Sequence, residues 1–107
     1  MGKLLAAGAV SAGLVALGAA ASPATAAIRV GDNWFSPKRL TVPQHSTVTW
    51  RFVGDRTHKV KVKSGPERFS SPRRSSGTYR HHMMMRGTYR IVCAIHPETQ
   101  KMTLIVD

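Results

Sequence analysis

Three side chains in this sequence have the types and spacing of a metal-ligand set. Cys93 and His96 form Cys-x-x-His, Pro97 follows directly, and His58 lies 35 residues before the cysteine. One thiolate and two imidazoles suit copper or zinc. A trigonal His-His-Cys plane with a weak axial ligand is the arrangement of a type 1 copper centre. Such a plane is acceptable to both Cu(I) and Cu(II), so a single electron can pass with little rearrangement. Taken alone, Cys93 reads equally as an inert core thiol. Being the only cysteine, it leaves no internal disulfide and no four-cysteine zinc site.

The elements that must position these residues follow a period of two. Val48, Trp50 and Phe52 alternate with polar neighbours, as do Val60 and Val62, Tyr89, Ile91 and Cys93, and Met102, Leu104 and Val106. Leu40 with Val42 and Ile28 with Val30 form shorter pairs. Turn signals separate them: Gly31-Asp32-Asn33, Pro43, Gly54-Asp55, Gly65-Pro66, Gly77 and Gly87. About seven short strands at this spacing predict an antiparallel β-sandwich. Parity places His58 with Val60 and Val62, and Cys93 with Tyr89 and Ile91, on the inward face. A buried imidazole and thiol need partners. Residues 64–77 lack alternation and read as a surface loop before a weak edge strand at Thr78–Met84.

The N-terminus has a different character. Lys3 precedes an apolar run from Leu4 to Ala21, and Ser22-Pro23 and Ala24-Thr25-Ala26 follow. That layout predicts a cleavable signal peptide over 1–26 and a mature domain over 27–107, exported to the extracellular space or the cell envelope. The chain carries 16 Lys+Arg against 5 Asp+Glu, a formal charge of +11, and loses only Lys3 with the leader. So small a domain has a marginal core, and a bound metal would help to stabilise it.

The matching stretches are Phe35-Ser36-Pro37-x-x-Leu40-x-Val42, Thr47-Val48-Thr49-Trp50, His58-Lys59-Val60 and Gly87-Thr88-Tyr89-x-x-x-Cys93-x-x-His96-Pro97, with the final strand Met102–Val106. Together they resemble the cupredoxins, the small copper proteins of the plastocyanin, amicyanin and pseudoazurin type. The resemblance covers about Ile28 to Val106. It implies an all-β Greek-key sandwich of seven to eight strands. It also implies one type 1 copper, with His58, Cys93 and His96 as equatorial ligands. The family usually places an axial methionine three to five residues after the second histidine. Here those positions are Thr99, Gln100 and Lys101, and Met102 comes one later. Met102 is taken as the fourth ligand. Gln100 is its rival, favoured by its offset of four from Leu104, and a site without a strong axial ligand is the third reading.

The resulting expectation is an exported, monomeric one-electron carrier rather than an enzyme. No Ser-His-Asp order, paired carboxylates or phosphate loop suggests turnover. Lys59, Lys61, Lys63 and Arg90 line solvent faces of strands and suit an acidic redox partner, or an anionic wall or membrane surface. Nucleic acid is not expected, because no recognition motif interleaves aromatics with the basic residues. His81-His82-Met83-Met84-Met85 gives a second reading, copper storage or delivery. Alternation separates His81 and Met83 from His82 and Met84, so the run also reads as an edge strand with Met83 in the core. A third reading is a metal-free basic sandwich that binds anionic polymer. Zinc in place of copper is compatible with the same ligands.

Overall fold

The computed structural model of the chain describes residues 22–107, so most of the expected leader, 1–21, lies outside the described residues. Eight strands follow one another: β1 Thr25–Val30, β2 Phe35–Ser36, β3 Arg39–Val42, β4 Thr47–Phe52, β5 Val60–Ser64, β6 Thr78–His82, β7 Gly87–Cys93 and β8 Lys101–Val106. They form two four-stranded sheets, ordered β2-β1-β4-β6 and β3-β8-β7-β5. The alternation predicted from sequence decides what lies between them. Val48, Trp50, Val60, Tyr89, Ile91, Cys93 and Leu104 are all fully buried, and their neighbours along the strands are at least partly exposed, Thr49 and Val92 excepted. Met83 is also fully buried, so it takes the core position expected of it.

Pairing departs from the expected antiparallel pattern in two places. β1 runs parallel to β4, with Ile28 opposite Trp50, and β3 runs parallel to β8, with Leu40 opposite Leu104. Each parallel pair joins an early strand to a later one within its own sheet, β1 with β4 in one and β3 with β8 in the other. β1 begins at Thr25, two residues before the expected mature N-terminus at Ala27.

Residues 65–77 are more than a surface loop. Their backbone runs along β5: the Val62 amide donates to the Phe69 carbonyl, Ser71 N–H donates to Val60, and the Ser71 hydroxyl accepts from the Val60 amide at 2.9 Å. Further on, His58 and Arg74 exchange both backbone hydrogen bonds. This segment therefore satisfies the free edge of β5 and fixes the backbone of His58. Phe69 folds under it against Trp50, Tyr79 and Tyr89.

Candidate metal centre

His58 and Cys93 meet at one end of the sandwich. Cys93 is the last residue of β7, and His58 stands two residues before β5, its partner strand. Both are fully buried, and His58 Nδ1 lies 3.6 Å from Cys93 Sγ. The other ring nitrogen, Nε2, lies 3.2 Å from Asp32 Oδ1. A carboxylate accepts hydrogen bonds only, so Nε2 carries a proton, and in the neutral ring the Nδ1 lone pair faces the sulfur. The Asp32 oxygen also accepts from the Arg56 amide at 2.9 Å. The amide of Arg56, the His58 ring and the Asp55 amide together hold the Asp32 carboxyl below its ordinary range.

Asp32 belongs to a turn, Gly31–Trp34, that ties the whole end of the molecule together. Thr99 Oγ1 lies 2.8 Å from Asn33 Oδ1, to which it donates. Gln100 Nε2 donates to the carbonyls of Gly31 at 2.6 Å and Trp34 at 3.1 Å. Gly54 leaves room for the Asp32 carboxylate, because a β-carbon at Gly54 would collide with it. The sequence marked Gly31-Asp32-Asn33 only as a turn. Its side-chain reach to His58, 26 residues away, has no periodic signature.

The register of β7 and β8 decides which residue stands beside the cysteine. Ile91 pairs with Met102 and Val92 with Lys101. The Cys93 amide donates to the Gln100 carbonyl at 2.9 Å, which continues the same register by one pair. Directly opposed residues share a face, so Gln100 stands beside Cys93, and Met102 lies a full side-chain repeat away, opposite Ile91. Gln100 is fully buried, and its Oε1 has no hydrogen-bond partner. A buried amide oxygen without a partner costs on the order of 1–3 kcal/mol, so it marks a place where a donor or a cation is missing.

His96 is placed differently. It lies on the loop between β7 and β8, where its carbonyl accepts from Gln100 N–H at 3.0 Å, and its side chain is exposed. Among the described residues, no group of three or more His, Cys, Asp and Glu side chains stands close enough to hold a metal ion. The structure thus brings His58, Cys93 and Gln100 together, keeps His96 at the rim, and puts Met102 in the core. A soft thiol, an imidazole with a bare nitrogen and an orphaned amide oxygen on one buried spot form a donor set that fits copper.

The architecture and this site define a class. The cupredoxin-like domain family matches residues 4–106, and the chain belongs to that family. Among solved structures, it is similar to a copper-containing nitrite reductase from Thermus scotoductus SA-01, at 30% identity and a TM-score of 0.68. That match covers 87% of this chain, which spans only 25% of the reductase chain. It is similar over 77% of its length to a purple cupredoxin from Nitrosopumilus maritimus, covering 99% of that protein at 23% identity and a TM-score of 0.67. A methionine-to-glutamine variant of amicyanin in the Cu(I) form matches at 25% identity and a TM-score of 0.64, over 76% of this chain and 82% of that one. No curated protein sequence matches the chain.

Proposed function

We propose that the chain is an exported type 1 copper protein that transfers single electrons and turns over no substrate. The observation that carries this reading is the buried His58–Cys93 pair at 3.6 Å, with the orphaned Gln100 oxygen on the same face. His58, Cys93 and His96 are the equatorial ligands, and Gln100 rather than Met102 is the axial one. Bound copper supplies a redox couple whose potential depends on the axial ligand. The chain supplies a dry pocket, a fixed His58 tautomer, and in His96 an exposed ligand at the surface where a partner can approach. Two of the ligands stand at the ends of adjacent, paired strands of one sheet, which limits their movement between oxidation states.

Export is supported by the layout of residues 1–26, and cleavage after Ala26 would leave four of the six β1 residues in place. Docking is supported by the charge of the outer face of the β3-β8-β7-β5 sheet. There Lys61 and Lys101 flank Val92 in register, and a groove lined by Lys38, Lys63, Arg90, Lys101, Pro97 and Glu98 runs up to the His96 loop. An acidic redox partner fits that face, and its association slows as salt is added.

Adding Cu(II) to the purified domain over 27–107 tests the centre. The expected result is an intense visible thiolate-to-copper band that Cys93→Ser abolishes. A colourless protein whose Cys93 is still freely alkylated after copper addition would overturn the reading.

The axial assignment has its own test. Gln100→Met should raise the reduction potential by at least one tenfold step in the redox equilibrium, about 59 mV for one electron. Met102→Leu should leave it unchanged. A shift with Met102→Leu and none with Gln100→Met would reverse the assignment.

A further inference from the structure

We propose that His45, His82 and Met84 form a second, surface site that takes Cu(I), separate from the Cys93 centre. The His-His-Met-Met-Met run does not act as one unit. His81 turns toward the core side, where its Nε2 lies 3.0 Å from Glu67 and its ring stacks on Phe69 at 4.0 Å. Met83 is buried. His82 turns out from the sheet beside Thr47, and it meets a histidine that the run does not contain. The rings of His45 and His82 are stacked, with centroids 5.9 Å apart and planes 29° from parallel, and both side chains are exposed.

Backbone contacts hold this pair together. The His45 amide donates to the Met83 carbonyl at 2.8 Å, and the Met83 amide donates to Ser46 at 2.8 Å. Gln44 Nε2 donates to the Met84 carbonyl at 2.8 Å. The turn that carries His45 is thereby laced to residues 83 and 84. His45 itself has φ 72°, in the left-handed region that histidine enters more readily than most residues, as suits the tip of this turn. Met84 is 51% exposed, so it is open to an incoming ion.

The chemistry left free is specific. His82 Nδ1 lies 3.4 Å from the Thr47 hydroxyl, which leaves Nε2 open. Among the described residues, the histidine–carboxylate pairs involve His58 and His81, not His45 or His82. Two imidazoles and a thioether are a soft to borderline set, which favours Cu(I) over harder cations. The site is also remote from the cysteine. β4 starts beside His45 and ends beside the Gly31–Trp34 turn, so its six residues separate the two places by about 20 Å.

Anaerobic titration with Cu(I) against a chromogenic chelator tests the proposal, using the Cys93→Ser protein so that no thiolate contributes. The expected result is one retained Cu(I) equivalent, bound at least tenfold more weakly after His45→Ala or His82→Ala and several-fold more weakly after Met84→Leu. In the parent protein, the same variants should remove the second equivalent and leave the visible band intact. If the band never forms but the Cu(I) equivalent persists and depends on His82, the Cys93 centre fails and this site stands. A Cys93→Ser protein that takes no Cu(I) from the chelator overturns the proposal. So does a His45→Ala/His82→Ala protein that holds it as tightly as its parent.

Discussion

Asp32→Ala is expected to weaken copper binding about 10–100-fold, the usual cost of losing the group that orients a metal-binding histidine. In the parent protein, the Asp32 carboxylate fixes the proton of His58 on Nε2 and the ring plane along with it. Nδ1 then faces Cys93 Sγ with its lone pair free. Without the carboxylate, both tautomers are populated and the Arg56 amide loses its acceptor. Asp32→Asn keeps an oxygen acceptor without the charge, so it should cost less affinity and raise the reduction potential, because a nearby negative charge favours Cu(II) over Cu(I). Gly54→Ala reaches the same end from outside the contact, since its β-carbon would displace the carboxylate. Chelator competition at fixed pH measures all three. Parent-like affinity in Asp32→Ala would show that buried packing alone orients His58.

What the sequence made legible was decided by which face each strand buries. Alternation of apolar residues specifies a face, and shifting register by one would expose Trp50, Tyr89 and Leu104 together, so those inward assignments follow from local pattern. Alternation carries no information about which strand lies alongside. The parallel partnerships of β1 with β4 and β3 with β8 therefore do not follow from it. The segment over 65–77 shows the same limit: it holds the edge of β5 through backbone groups and the Ser71 hydroxyl, none of which alternates.

The site divides along similar lines. His58 and Cys93 were legible because each continues an apolar face to its end. Which residue of β8 stands beside Cys93 was not, because counting from His96 assumes a loop length, and parity from Leu104 assumes a strand start. The register places Gln100 there: the loop closes with the Gln100 amide on the His96 carbonyl, and β8 pairing reaches back to Cys93. Asp32, Asn33 and Thr99 act through contacts 26 and 66 residues apart in sequence, which only folding brings together.

Glu67→Ala should cost about 2–4 kcal/mol of stability, through the loss of several charge-assisted hydrogen bonds at one partly buried carboxylate. One Glu67 oxygen accepts from the Met84 and Met85 amides, at 2.7 and 2.8 Å, and the other lies 3.0 Å from His81 Nε2. Tyr89, whose hydroxyl donates to the Met85 carbonyl at 2.6 Å, completes the cluster 3.2 Å from Glu67. The residue thus clips the turn between β6 and β7 against the core. Partial burial pushes its carboxyl up, but the bonds from His81, Met85, Met84 and Tyr89 outweigh that and hold it below its ordinary value of 4.5. A depressed carboxyl contributes stability that is present above the unfolded value and is lost as pH falls through the folded one. The parent should therefore lose stability as pH drops from about 4.5, and Glu67→Gln should lose less over that window while starting lower at pH 7. At the alkaline end, burial, together with the Glu67 charge, pushes the Tyr89 hydroxyl up to about 12. Its contribution is complete below pH 10 and disappears as pH rises through 12, and Glu67→Gln should make that loss smaller and end it at lower pH. Urea unfolding across pH 2–12 reads both limbs. Parallel profiles for parent and Glu67→Gln would mean that the carboxylate is not what couples this turn to protons.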